Sequence, residues 1–567
     1  YLEALNANAS YNATYNWNRT MQSSSNNVNL GNVISGTRAW QVDGGINFET
    51  LYGKSKYWKQ MTQHYNQKPN VRRRVAFKPK TYTEVVSLEA GQKKEIVHRL
   101  GSESIKISAV DQTGKTVRLK WEAVSTTKAS IESTKDLKNI SLTITTEDKN
   151  KRSPGQAAVD MMAYFGTMIR KLQVTYRNTN SMTVPGFAPQ AGFMGQQRFD
   201  NLYAPGFDFA FGGFDDSFVE KAKDRGWLSG DTTVVQPATR SLTEDFDAKL
   251  TLEPFPGFKI QLNGKRYEAQ STSVIYSYDQ LQENMTGSFN ITQVAIATAF
   301  HKLGTADENF ASETFSQFLE NRSTMTQRVA QQYVGTKYPD AAWVPANLRN
   351  KPYDSKNGAV ASNTADVLVP AFLAAYTGRD ASNVNLNPFM NLLHILPNWS
   401  VTFDGLGRLP WLRDQFKSIS LTHAYTCKYA IGSYSSYSTW MPIDGDLSNK
   451  QIGFVRDVTT DMPIPSSAYD ISSVTLTENF SPLVGLNMTM KNSLSAKFEY
   501  RKQRNISLNV NSVQITEGHT DEFVVGAGYT IKDLSFITKN RNGGQKKVSN
   551  DLKLNVDVSY KDIKTLL

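Results

Sequence analysis

Residues 552–560 read LKLNVDVSY. Leu552, Leu554, Val556, Val558 and Tyr560 alternate with Lys553, Asn555, Asp557 and Ser559. Successive side chains of a β-strand point to opposite faces, so one face of this stretch is apolar and the other polar. The same period governs Leu494, Ala496, Phe498 and Tyr500, separated by Ser495, Lys497 and Glu499, and then Ile506, Leu508 and Val510. Upstream, Phe246, Ala248, Leu250 and Leu252 alternate with Asp247, Lys249 and Thr251. The run Glu253-Pro254-Phe255-Pro256-Gly257 follows, and alternation resumes as Phe258, Ile260 and Leu262 against Lys259, Gln261 and Asn263. A strand, a Pro/Gly turn and a strand make an antiparallel hairpin. Further strands are expected at Tyr11 to Trp17, Trp40 to Phe48, Leu172 to Tyr176, Met285 to Ile291, Trp399 to Phe403 and Ile419 to Tyr429.

Two architectures alternate in this way. A β-sandwich turns its polar face to bulk water. A membrane barrel turns its apolar face to lipid and its polar face to a wet lumen, and Lys or Arg on the wrong face costs about 2–4 kcal/mol at mid-bilayer. Several stretches run to about ten residues, the length of a tilted spanning strand, where strands of globular proteins average five or six. The expected fold is therefore all-β, an antiparallel transmembrane barrel. Its lipid-facing residues would include Phe246, Leu250, Leu494, Phe498, Leu554 and Val556. Its pore-lining residues would include Lys249, Lys259, Asn263, Lys497, Glu499, Asn555 and Asp557.

Composition agrees with a barrel without requiring one. Hydrophobic residues make up 39% of the 567, as expected where only alternate residues meet lipid. A spanning helix needs about 20 consecutive apolar residues. The run Val367 to Tyr376 is half that and contains Pro370. The 25 Tyr and 9 Trp suit places with one end dry and one wet. The segment Tyr52, Tyr57 and Trp58 among Lys54, Lys56 and Lys59 reads as a membrane-interface stretch or as a plain basic loop. The single cysteine, Cys427, excludes a disulfide framework and a Cys-based zinc site. A net charge of +11 is spread among acidic residues, which argues against nucleic acid and suits anionic lipid or lipopolysaccharide.

No catalytic constellation stands out. The chain has no G-x-S-x-G, H-E-x-x-H or P-loop. Asp215 and Asp216 read as charge at a helix N-terminus. Asp444-Gly445-Asp446 with Ser448 is a poor match to a calcium loop, because Val455 stands where the bidentate Glu belongs. The expectation is no enzyme, no cofactor and no metal.

Three insertions divide the strands. Residues 1–66, 154–183, 240–304 and 398–567 are expected to carry barrel strands. Residues 67–153 open on Arg72, Arg73 and Arg74 and read as a small β-insertion, expected to be periplasmic. Residues 184–239 form a Gly- and Phe-rich loop with a short helix from Asp215 to Arg225, stopped by Gly226. In 305–397, Ser312 caps a helix bearing Phe315, Phe318, Leu319, Arg322, Met325, Val329 and Tyr333. Long excursions of this kind lie on the extracellular side of outer-membrane barrels. The chain begins at Tyr1 without a Met, which reads as a piece of a longer precursor.

Several long segments carry a resemblance: LNPF (386–389), LPNWSVTFDGL (396–406), FKSISLTHAY (416–425), TRAWQVDGGINFETLYGKSKYWK (37–59), PGFDFAFG (205–212), LEPFPGFKIQLN (252–263) and DVLVPAFLAAYTG (366–378). Over essentially its whole length the chain resembles the C-terminal part of the SprA (Sov) family, the giant outer-membrane translocons of the type 9 secretion system of Bacteroidota. The resemblance implies part of a very large single-chain barrel in the bacterial outer membrane, with a gated pore that passes folded cargo bearing a C-terminal signal domain. It also implies partners: a PorV-like shuttle barrel, a periplasmic plug protein and other secretion-system components. From the residues alone, a TonB-dependent transporter, a surface β-sandwich adhesin and a β-rich polysaccharide hydrolase stay open.

Overall fold

The computed structural model describes residues 2–19, 31–66, 79–147, 154–229, 236–276, 282–304, 312–443, 450–539 and 545–567. Arg72 to Arg74 and the Asp444 to Ser448 loop lie outside them. The chain forms two units, Tyr1–Leu51 with Met168–Leu567, and Tyr52–Thr167.

The larger unit is built on one 12-stranded antiparallel sheet. Its strands are β1 (Leu5–Arg19), β2 (Asn32–Asn47), β3 (Ile169–Phe187), β4 (Ala238–Phe255), β5 (Phe258–Ile275), β6 (Gln282–Thr292), β7 (Asn398–Phe403), β8 (Phe416–Ser436), β9 (Tyr469–Met490), β10 (Leu494–Asn509), β11 (Gln514–Lys539) and β12 (Gln545–Leu566). They pair in chain order, each with its sequence neighbour, apart from β6 and β7. Those two share one position. β6 pairs the far part of β5 and β7 its near part, and both pair β8. One strand slot is thus interrupted by residues 293–397, which leave and return with the register kept. The hairpin between β4 and β5 closes as expected, with Phe255 opposite Phe258 and Gly257 at φ +81°, the backbone that position i+2 of a Pro-Gly turn requires.

The strands are longer than the alternating stretches indicated. β9 and β12 have 22 residues each and β11 has 26. The expected strand at 172–176 is the middle of the 19-residue β3. The expected boundaries shift accordingly. β2 stops at Asn47, and Phe48–Tyr52 and Lys56–Asn66 are helices. Pro154–Gly166 is a helix too, with Pro in its first turn where a missing N–H costs nothing. Strand β6 ends at Thr292, so 293–304 belong with the third insertion, not with the sheet.

The second insertion places Phe209, Phe214, Phe218 and Trp227 over Ile34, Met182 and Val184. Its helix Phe218–Asp224 ends two residues before Gly226, which stands at φ +65°. The third holds α1 (Glu313–Gln332) and α2 (Ala365–Thr377). The Ser312 side chain accepts a hydrogen bond from the Phe315 amide, the N-cap read from the sequence. Phe318, Met325 and Val329 face the core, whereas Phe315 and Leu319 are exposed. Helix α2 is buried on every side from Val367 to Thr377, which explains its continuous apolar run. Burial raises the pKa of Asp366 in its first turn, and the Ser467 amide donates to the carboxylate at 2.8 Å. A three-stranded sheet between β8 and β9 (Met441–Pro442, Gly453–Arg456, Pro463–Ser466) joins this core through Phe454.

The smaller unit holds a four-stranded and a three-stranded antiparallel sheet. Val86, Ile105, Leu142 and Ile144 of one share a core with Ile96, Ala129 and Ile131 of the other. Tyr57 and Trp58 do not stand as an interface loop. They lie on a helix, with Tyr57 Oη donating to Asp160 at 2.6 Å and Trp58 Nε1 to Thr167 at 3.3 Å.

Where the third insertion meets the sheet, Arg504 of β10 is 2% exposed. It donates to Glu478 (3.0 Å), Thr298 O (2.8 Å) and Thr298 Oγ1 (2.9 Å), and Glu478 also accepts from Tyr425 Oη at 2.6 Å. Removing one member of such a pair leaves an uncompensated charge in the core. Arg504→Ala is expected to cost about 3–5 kcal/mol, read as a lower unfolding midpoint in urea, with earlier proteolysis of 293–397.

Candidate functional site

Partners across a β-ladder point to the same side of the sheet, so the registers trace each face from strand to strand. Asn6, Gly45, Gln173, Lys249, Asn263 and Asn398 form one cross-strand row. Lys259, Thr402, Thr422, Gly485, Glu499, Val524 and Ser559 form another. Lys497 continues through Gly526 to Asp557, and Ser495 through Gly528 to Asn555. All seven residues expected to line a pore therefore share one face. On the other face run Leu5, Ile46, Leu172, Leu250, Leu262 and Trp399, and a second row of Phe258, Phe403, Leu421, Leu486, Phe498, Val525 and Val558. Phe246, Leu494, Leu554 and Val556 belong to this apolar face.

The polar face is cross-linked by opposite charges. Glu499 holds Lys497 at 3.1 Å and Arg501 at 2.6 Å, and Arg501 reaches Glu522 at 3.2 Å. Asp247 holds Lys265 at 3.0 Å and Lys249 at 3.4 Å, and Asp245 holds Arg177 at 3.5 Å. Each such pair at a wetted surface contributes at most about 1 kcal/mol; their effect is to leave the wall without a dominant sign.

The apolar face is not a core. Phe498 is 45%, Leu554 52% and Val556 66% exposed, in a band that runs from β1 to β12. An exposed apolar area of this extent needs a covering phase or partner. Rings border the band at both ends, a feature missed in the sequence because the rings are scattered along the chain. At the turn end Phe258 lies 4.6 Å from Phe255 and 6.0 Å from Phe403. At the other end Trp40 packs on Tyr176 at 5.0 Å and Tyr500 stacks on Phe523 at 4.6 Å. The hydroxyls of Tyr176 and Tyr500 donate to Glu244 and Asp521, both at 2.7 Å. Beyond these rings the same face is covered by the second and third insertions, through Ile34, Met182 and Val184 and through Ile291, Tyr429, Leu476 and Ile506. The third insertion therefore packs on the apolar side of the sheet.

The interrupted strand slot is mended by side chains. Thr292 Oγ1 accepts from the Lys265 amide at 3.1 Å, and Asn398 Oδ1 accepts from the Cys427 amide at 2.7 Å. Gln293 N donates to Cys427 O at 3.1 Å.

Asp215 accepts from the Ser217 amide and hydroxyl, and Asp216 pairs with Arg240, so these carboxylates do not share a cleft. Among the described residues no three His, Cys, Asp or Glu gather in a group that could hold a metal ion, and no helix is long and apolar enough to cross a membrane. No family model and no curated protein matches the chain.

Replacing Asn398 by Leu orphans the Cys427 amide, a loss of about 1–3 kcal/mol. The expected result is a lower unfolding midpoint, with faster hydrogen exchange confined to residues near Cys427.

Proposed function

We propose that this chain is wall of a protein-conducting outer-membrane barrel, the translocon of a type 9 secretion system. The observation that carries the membrane part is the exposed apolar band, bounded by rings and backed strand by strand by a charged face. Nine residues of alternation in β12, Leu552 to Tyr560, span about 30 Å along the strand at roughly 3.3 Å per residue. Tilted by about 40°, that matches an apolar band of about 25 Å. The strands continue past it, and on this reading their far ends and the second and third insertions stand outside the bilayer on one side. The tight turns after β4 and β9 lie at the other end, the pattern of short periplasmic turns and long outer loops. Strand β2 ends and β3 begins at this short-turn end, so residues 52–167 are assigned to the periplasm.

Strands β1 and β12 each have one edge with no ladder partner among the described residues. Lipid tolerates no such edge, so on this reading both edges pair with further strands, as the resemblance to a very large barrel implies. A barrel of that width cannot fill its lumen with side chains, and a conduit follows. The translocon assignment itself rests on the resemblance of the segments quoted above. With it come the proposed partners: a PorV-like shuttle barrel, a periplasmic plug protein, cargo with a C-terminal signal domain, and lipopolysaccharide around the wall. The wall residues have no part in bond chemistry, and the function is gating.

Two measurements test this reading. Val556→Arg should cost about 2–4 kcal/mol of folding free energy in lipid vesicles, while Asn555→Arg on the opposite face should stay within about 0.5 kcal/mol. Equal effects, or recovery of the protein in aqueous buffer without detergent, would remove the membrane assignment. Pull-down from detergent-solubilised outer membrane should bring a second barrel and exported cargo. Recovery of neither would leave a barrel without the translocon role.

A further inference from the structure

The third insertion carries a cleft of about 510 Å3 that the wall does not use. Arg328 and Gln332 of α1 stand on one side of it, and Arg379, Asn383 and Asn385 of the loop after α2 on the other, with His394 beside them. No Asp or Glu lines it among the described residues. Arg328 Nη1 donates to Ala381 O at 2.6 Å and lies 3.5 Å from Met325 Sδ. Arg379 Nη2 donates to Gln293 Oε1 at 3.0 Å. A guanidinium has five N–H donors, so each has donors beyond those these bonds use. Neither forms an ion pair among the described residues, and Asp380 in the same loop turns its Oδ1 to the Ser382 amide at 2.8 Å.

The floor is braced. Gln293 is fully buried, and its Nε2 donates to His394 O at 2.9 Å while its Oε1 holds Arg379. His394 Nδ1 lies 2.7 Å from Asn391 Oδ1, and Nε2 lies 3.4 Å from Asn385 Nδ2. These two contacts hold the imidazole ring in place. Leu386 and Met390 supply an apolar flank. Two guanidiniums line one cleft, and the single nearby carboxylate, Asp380, which the Ser382 amide holds and Arg328 reaches electrostatically, offsets only part of their charge. Planar forks of this kind match phosphate and carboxylate oxygens two at a time.

The geometry points to a binding site for a small oxyanion, a phosphate or a carboxylate, carried on a body about the size of a sugar. The forks of Arg328 and Arg379 take the oxyanion, Gln332 and Asn383 offer amide contacts, and the apolar flank holds the body. The site stands whether or not the wall conducts protein.

The full chain in detergent is titrated by calorimetry with inorganic phosphate, citrate and glucose 6-phosphate at low ionic strength. Saturable binding of at least one is expected, weakening as salt rises. Asn383 is exposed, so Asn383→Asp leaves the fold intact and sets a carboxylate among the arginines. It should weaken binding about tenfold or more, as should Arg328→Gln, with Arg328→Lys intermediate because charge survives and the fork does not. Binding of both phosphates but not citrate assigns a phosphate ligand, and binding of citrate alone assigns a carboxylate. No saturable binding up to about 10 mM, an affinity below roughly 3 kcal/mol, overturns the proposal. So does binding that Asn383→Asp and Arg328→Gln leave unchanged, which would be an adventitious ion only.

Discussion

The structure depends on the continuity of one backbone ladder. Eleven strand positions are hydrogen-bonded in sequence from β1 to β12, and each pairing passes the facing of side chains to the next strand. A slip of one residue at any pairing would carry Leu554 and Phe498 to the charged side and Lys497 and Asp557 to the apolar side. The two faces are thus a property of the registers taken together, and no single strand secures them. The ladder is most vulnerable where β6 stops and β7 has not begun. There Thr292 and Asn398 supply side-chain oxygens to amides that would otherwise be unpaired.

The apolar face does two different jobs along its length. Near the tight turns it is bare, and past the aromatic border it is the floor under two folded insertions. The change is visible in single strands. In β10, Leu494 to Tyr500 belong to the bare part, Ile506 and Leu508 to the buried part, and Arg504 stands between with its charge met by Glu478 and its remaining donors by Thr298 and Ala295. A charge on the apolar face is tolerated there because the neighbouring strand supplies its counter-charge and the insertion buries the pair and takes its remaining donors.

How far the fold could be read from the residues follows from the same division. Where one face is bare and the other wet, as in β4, β5, β10 and β12, polarity alternates strictly and the strands were legible, with the Pro256-Gly257 turn between two of them. Which face each of the thirteen named residues takes was legible for the same reason. In β3 and β8 the alternation covers only part of the strand. Asn178, Asn180 and Cys427 are buried by insertions and Arg177 and Lys428 are wet, so the pattern no longer separates apolar from polar. The helices at 48–66 were missed because their rings and lysines fit an interface stretch or a basic loop equally well, and Pro154–Gly166 was counted with the strand that follows it. The Ser312 cap and the Gly226 stop were read correctly because both act within one turn of chain. The oxyanion cleft had no sequence signal at all: Arg328 and Arg379 are brought together by the packing of α1 against α2.

The paired charges on the polar face have a mechanical meaning. Glu499 sits between Lys497 and Arg501, and Asp247 between Lys249 and Lys265, so positive and negative ends alternate within a few ångströms. Their fields cancel over a distance shorter than the screening length of about 8 Å at physiological ionic strength. A surface of this kind binds its hydration layer firmly and offers an acidic or a basic visitor neither trap nor obstacle. It behaves as a zwitterionic coating, nearly blind to the sign of a charge brought up to it.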